Sequence, residues 1–307
     1  MTENRAGASR AQIIAAFASI YTIWGSTYLA IRYAIETLPP FLMAGARFLV
    51  SGVILYVWAR QRGALRPTRL HWKNTAIIGA FLLLGGNGAV VWAEQTIPSG
   101  LAALLVSILP FWIVLLEWMR PDGKRPGLAV VLGLIAGFIG IVVLIGPGNL
   151  GGKGDVKPLG AIVLILGSLS WAIGSLWSRD VKLPESALLT TGMEMLTGGA
   201  MLAIAGLFAG ELGRLDLANV SAASAYGLLY LITFGSLIGF TSYIWLLDKV
   251  SPAMLGTYAY VNPVVAVILG WAIAGEELSI RTAVAAVIVI CAVALITMAR
   301  SKPAVRA

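Results

Sequence analysis

Residues 99–119 read SGLAALLVSILPFWIVLLEWM, twenty-one positions with a single charge, Glu117, close to the far end. Two serines and one acid cannot wet the outer face of a helix on a soluble protein. The stretch is instead as long as the roughly 20 apolar residues that cross a hydrocarbon core of about 30 Å. Its apolar residues run without alternating, which excludes the strand of a membrane barrel. Nine similar blocks accompany it, at 11–31, 41–59, 74–93, 127–146, 158–178, 186–209, 222–247, 252–275 and 280–299. The sequence therefore predicts an all-α integral membrane protein with ten transmembrane helices.

Composition agrees. Of 307 residues, 59% are hydrophobic and 12% charged, and the mean hydropathy is +0.88. A soluble domain carries about 25% charged residues, so half the charge needed to solvate its surface is missing. The longest connections, 60–73, 147–157 and 210–221, leave no room for a soluble domain. The net charge of +8 is better read by position than as a nucleic-acid patch, because Lys and Arg favour the cytoplasmic side of membrane loops. With the N-terminus inside, sixteen of the 22 Lys/Arg lie on inner segments and five on outer loops (Arg32, Lys153, Lys157, Arg214 and Arg281), while Arg47 lies within a span. Both termini are thus expected in the cytoplasm. The polar residues before Arg10 lead into a full-length span with no convincing cleavage site, which reads as a retained first helix. Cys291 is the only cysteine, so no intrachain disulfide can form.

The chain also repeats itself. At an offset of 147, Trp24 falls on Trp171, Arg32 on Arg179, Gly45 on Gly192, Leu49 on Leu196 and Gly52 on Gly199. Later, Trp92 and Pro110 share the spacing of Trp245 and Pro263, and the loop at 210–221 accommodates the change of offset. Two halves of five spans follow, 11–146 and 158–300. Five is odd, so the second half enters the membrane inverted. That is the inverted-repeat plan of many secondary transporters, whose substrates bind near the midplane between the halves.

Trp24-Gly25-Ser26-Thr27-Tyr28, then Leu38-Pro39-Pro40 and Ala46-Arg47-Phe48, resemble the opening of EamA-type members of the drug/metabolite transporter superfamily. Pro110 within the fourth span agrees, as does Tyr260-Val261-Asn262-Pro263 leading to Gly275-Glu276-Glu277-Leu278. The resemblance covers all ten spans. It implies secondary transport, without ATP, of a small organic metabolite or drug-like molecule by alternating access, and it favours export of amino acids or related compounds across the cell (inner) membrane. Arg120-Pro121-Asp122-Gly123-Lys124 departs from the Gly-Glu pattern usual after the fourth span. Small proton-coupled relatives keep a carboxylate in the first span; this chain has none.

Charge within a span costs at least about 2.5–3.5 kcal/mol and marks an interior or watery face. Arg47 and Glu194 are such charges, at equivalent repeat positions and about 10 Å apart vertically by helical rise. Arg47 suits a substrate carboxylate; Glu194 suits a substrate ammonium or a coupling proton. Glu117 and Glu94, near helix ends, read as interfacial. Trp24, Thr27, Tyr28, Asn87, Trp92, Trp171, Tyr243, Tyr258 and Asn262 are candidates to line the cavity, since aromatic faces bind cations and flat groups and sparse amides orient a ligand. Core packing is the competing role for each aromatic. Pro110 and Pro263 are expected to break their helices and free carbonyls. The glycines of the fifth and sixth spans permit close helix packing, within a monomer or in a homodimer.

No cofactor or metal is expected. The nearest approach to a phosphate loop, Gly146 to Gly154, has Pro147 and Gly154 where glycine and a hydroxyl belong. His71 is the only histidine, which precludes a His-based metal site or a Ser-His-Asp triad. The partners implied are a small molecule, lipid and, for a driven carrier, protons. An intramembrane lipid-modifying enzyme would need clustered acids or bases, and the acids here are scattered. A channel or scaffold is the remaining alternative.

Overall fold

The structure is a computed structural model that describes residues 9–121, 123, 125–145, 157–247, 249–250 and 258–301. The described residues are helical and contain no strand. Their long segments are α1 (Arg10–Ala34), α2 (Pro40–Gln61), α3 (Arg69–Ala93), α4 (Ser99–Trp118), α5 (Leu128–Ile145), α6 (Pro158–Asp180), α7 (Ala187–Phe208), α8 (Ala222–Leu246), α9 (Tyr258–Ala274) and α10 (Ile280–Ser301). Among them α1–α4 and α6–α8 are long and apolar enough to cross a membrane. The other three contain shorter apolar helices, Leu128–Leu144, Val261–Ala274 and Ile280–Ile296. The stretch from Gly146 to Gly154, the start of the block at 252–275, Asp122, Lys124 and both chain ends lie outside the described residues.

Polar residues begin these helices where the apolar runs begin. Ser9 Oγ accepts from Gln12 N at 3.2 Å while Gln12 Oε1 accepts from Ser9 N at 2.9 Å, and Thr68 pairs with His71 in the same reciprocal way. Pro40 and Pro158 occupy first helical positions, where the missing N–H costs nothing.

Two glycine-lined seams join the halves. A Cβ on Gly52 would lie 2.8 Å from Leu196 N, one on Gly192 2.8 Å from Tyr56 N, and one on Gly199 2.9 Å from Leu49 N. Backbone meets backbone there, and the descending register makes α2 and α7 antiparallel. Similarly Gly133 faces Ile296, Gly137 faces Ala292 and Gly140 faces Val289, so α5 and α10 are antiparallel. The remaining contacts also come in matched sets: α1 with α8 and α9, and α6 with α3 and α4. Phe48, Leu55, Ile78, Leu104 and Leu164 are fully buried in the core, whereas Phe138, Ile162, Ile204, Phe208 and Val287 point outward. Apolar surface of that extent suits lipid contact.

Three details depart from the sequence reading. Helix α4 is interrupted at Ser107–Ile108, just before Pro110, but α9 runs through Pro263 without a break. The two prolines are therefore not equivalent. Pro110 opens a new helix at its second position, where no amide is needed, and Pro263 lies inside a helix that is unbroken over Tyr258–Ala274. Helices α3 and α8 each contain a widened π turn, Ala80–Asn87 and Leu231–Ile238, that the hydrophobic blocks do not reveal.

A buried acid closes one end of the molecule. Glu211, between α7 and α8, is 1% exposed and its carboxylate accepts from Phe41 N at 3.2 Å and Leu42 N at 2.8 Å. It thereby supplies the cap that Pro39 cannot give α2. Glu211→Ala is expected to lower stability by about 1–2 kcal/mol, the usual worth of an N-terminal cap. Thermal unfolding of the solubilised protein would read this, and a melting temperature equal to the parent's would deny Glu211 that role.

Candidate functional site

The two π turns form the centre of the molecule, and each is held by the other half. In α8, Gly235 O of the widened turn accepts from Trp24 Nε1 of α1 at 3.3 Å. In α3, Phe81 O of the corresponding turn accepts from Ser170 Oγ of α6 at 2.7 Å. Trp171, the repeat equivalent of Trp24, packs on Gly86 as Trp24 packs on Gly239. Such turns recur at functional sites.

Arg47 reaches the same turn of α8. It is 4% exposed, and its Nε donates to Ser236 Oγ at 3.0 Å. The guanidinium carbon lies 4.7 Å from the centroid of the Phe48 ring. A Cβ on Gly235 would come 3.1 Å from both Arg47 Nη2 and Thr27 Cγ2, so glycine is what lets the guanidinium approach. Among the described residues no carboxylate pairs with Arg47. A guanidinium offers five N–H donors in a fork, and among the described residues one of them, Nε, has a protein acceptor. Thr27 Oγ1 is itself turned back onto Trp24 O, at 2.7 Å.

An aromatic cluster stands beside it. The Trp24 ring lies 5.3 Å from Phe240, 5.2 Å from Tyr243 and 5.2 Å from Tyr258, the last edge to face. Tyr243 and Tyr258 are 6.0 Å apart at right angles. Helices α1, α8 and α9 thus bring three predicted site residues into mutual contact, next to Arg47. Tyr28 lies one turn further along α1, within electrostatic reach of Tyr258.

The other candidates are spread more widely. Asn87 closes the π turn of α3, and Asn262 precedes Pro263. The Oδ1 of each is buried without a hydrogen bond. Trp92 is half-buried against the main core. Glu194 is half-buried on α7 where its backbone meets Gly79 of α3. From the facing pairs of the α2–α7 seam, Arg47 and Glu194 stand about seven residues, or roughly 10 Å, apart along the helices. They form no ion pair. Glu117 bonds Arg179 at 2.9 Å between the ends of α4 and α6. The side chain of Tyr260 lies outside the described residues.

Sequence reasoning missed the acids of the opposite end. Glu94, read as interfacial, is 1% exposed, and neither carboxylate oxygen has a hydrogen bond. Glu276 accepts from Ser99 N at 2.6 Å, Ser99 Oγ at 2.7 Å and Gly100 N at 3.0 Å, with Arg32 Nε 3.9 Å away. The signal available was the brevity of the turn between α3 and α4: five residues ending in Pro98 fold Glu94 under the next helix. Glu276 also lines a shallow recess of about 430 Å³ at Trp271 and Gly275–Ser279, and a small apolar gap of about 10 Å³ lies among α4, α5 and α10.

Comparison with known proteins points to one family. The profile of the EamA-like transporter family matches twice, over residues 9–146 and 158–298. The "Uncharacterized inner membrane transporter YedA" of Escherichia coli (strain K12) is 40% identical over 289 residues, covering 94% of this chain and 91% of its own. "Protein PecM" of Dickeya dadantii is 27% identical, covering 84% and 82%. The "Uncharacterized transporter YoaV" of Bacillus subtilis is 24% identical, covering 92% and 96%. A solved structure titled "Crystal structure of protein" superposes with a TM-score of 0.61 at 21% identity, covering 94% of this chain and 99% of its own; it speaks to the fold alone.

Proposed function

The chain belongs to the EamA-like transporter family and is a multi-pass membrane protein of the drug/metabolite transporter type, and we propose that it works as a secondary carrier of small organic metabolites bearing a carboxylate, amino acids foremost. One observation carries this reading: a buried arginine, mostly without protein acceptors, beside an aromatic cluster at the contact of the two halves. A fork of this kind grips a carboxylate bidentately, and the rings of Trp24, Tyr243 and Tyr258 offer faces for the rest of the molecule.

The architecture proposed is ten spans in two inverted five-helix repeats, at 11–146 and 158–300, in the cell membrane with both termini cytoplasmic. Support comes from the twofold family match and from the antiparallel seams of equivalent helices, α2 with α7 and α5 with α10. The excess of Lys and Arg on one set of loops supports the orientation. The end carrying Arg32, Glu94 and Glu276 is then the outer one. Alternating access would part the halves at one end while the other stays closed, and the direction proposed is export.

Counterflow in proteoliposomes tests the carrier reading, with labelled amino acids and organic cations and with or without a pH gradient. Saturable exchange of a carboxylate-bearing member is the expected result. Currents at channel rates, or a chemically altered lipid, would replace the carrier with a channel or an enzyme. Trp24→Ala is expected to weaken apparent affinity by roughly tenfold, the worth of about 1–2 kcal/mol of ring contact. An unchanged half-saturation concentration would move the substrate away from the cluster.

A further inference from the structure

Glu94 is the buried acid that the fold leaves without a use. Glu211 and Glu276 at the same end are engaged as helix caps, but both oxygens of Glu94 face no donor although the residue is 1% exposed. Three charged or titratable groups lie within its electrostatic reach: Glu276 from the end of α9, and Arg32 and Tyr28 from α1. Glu276 is a like charge. Among the described residues Arg32 is the opposite charge within reach, and its side chain is 43% exposed and already directed at Glu276. An anion so placed has no hydrogen bond to stabilise it, and the neutral acid costs far less to bury than the charge does. Tyr28, within electrostatic reach of Glu94, is also within reach of Tyr258, whose ring packs against Tyr243 in the aromatic cluster.

We propose that Glu94 is a proton-binding site of the outer gate: it holds a proton while the outer end is closed, and it gives the proton up, to face water and Arg32, when that end opens. The link between proton and gate stands on the geometry of this end, whereas its use in transport rests on the carrier reading above. The proton moves between Glu94 and bulk water, so no other reactant is needed. Raising the outer pH removes the proton and favours opening; neutralising the side chain permanently favours closure.

The test reads the gate without a substrate. In a Cys291→Ser background, a reporter Asn87→Cys is labelled in intact cells with a membrane-impermeant maleimide over a range of outer pH. Rates are normalised to an exposed control at the same end, Leu217→Cys, which removes the pH dependence of the thiol itself. The parent is expected to label severalfold faster at about pH 9 than at about pH 5.5, because its closed form binds one more proton. Glu94→Gln, isosteric with the neutral acid, is expected to label slowly at every pH. Glu94→Leu should do the same if the missing charge, and not a lost hydrogen bond, is the cause. A parent profile flat with pH overturns the proposal. So does a Glu94→Gln profile that follows the parent, or one that only Glu194→Gln flattens. Absence of counterflow with the labelling profile intact would remove the carrier reading and leave the gate proton standing.

Discussion

Arg47→Ala is expected to abolish saturable exchange while leaving the protein inserted and folded. The guanidinium makes one side-chain hydrogen bond, to Ser236, so its loss costs the fold little. Its loss to a bound carboxylate would be large. Removing one partner of a desolvated charge pair costs about 2–5 kcal/mol, or roughly 30-fold to several thousand-fold in affinity. Arg47→Lys separates charge from geometry. A lysine keeps the charge but cannot present the planar fork that bonds both carboxylate oxygens, so it should restore only part of the activity. The measurement is counterflow at several substrate concentrations, with membrane content quantified in parallel. Normal exchange by Arg47→Ala would make this arginine a strut between α2 and α8. A protein that no longer reaches the membrane would equally deny it a binding role.

How far the sequence speaks to this site depends on the kind of interaction. Hydrophobic blocks report burial in lipid, and they place most helices to within a few residues; the wide separation of Arg47 and Glu194 from other charges marks both without help from coordinates. Repeat spacing pairs Trp24 with Trp171, and the structure has one ring resting on Gly239, just past the π turn of α8, and the other on Gly86, within that of α3. The π turns themselves leave no periodic trace, because widening one turn by a residue hardly alters an all-apolar pattern. Pro110 and Pro263 look alike in sequence, yet one interrupts its helix and the other does not. Glu94 is the instructive miss. Charge near a helix end reads as interfacial when depth is judged along the chain, and only the tight turn before Ser99 shows that α4 and the end of α9 cover it. The same limit hides Glu276, whose partners lie about 177 residues away in sequence.

That long-range cap carries the second large effect. Gly275, at φ +65, ends α9 in the left-handed region that glycine tolerates. The chain then folds back so that Glu276 N bonds Gly270 O at 3.0 Å and the side chain points into α4. Glycines allow the approach: a Cβ on Gly100 would lie 3.0 Å from Val267 Cα. The carboxylate meets the first amides of α4, where the helix dipole favours negative charge. Its three short bonds thus tie α9 to α4 across the two halves at the proposed outer end. At the repeat spacing that pairs Pro110 with Pro263, Glu276 falls on Gly123 and not on an acid. Glu276→Ala leaves the buried Ser99 and Gly100 amides unpaired and should cost about 2–4 kcal/mol, the worth of charge-assisted bonds together with the stranded donors. Glu276→Gln keeps an acceptor and should retain roughly half of that. Two readouts follow, a lowered melting temperature and faster labelling of the Asn87→Cys reporter from outside. The pair discriminates, because a cap that served stability alone would lower the first and leave the second at the parent's rate. Faster labelling in Glu276→Ala that persists with Glu94→Gln added would place the tie downstream of the proton, as the element that physically holds the gate. Labelling restored to the parent's slow rate by Glu94→Gln would mean instead that Glu276 acts through its charge on Glu94.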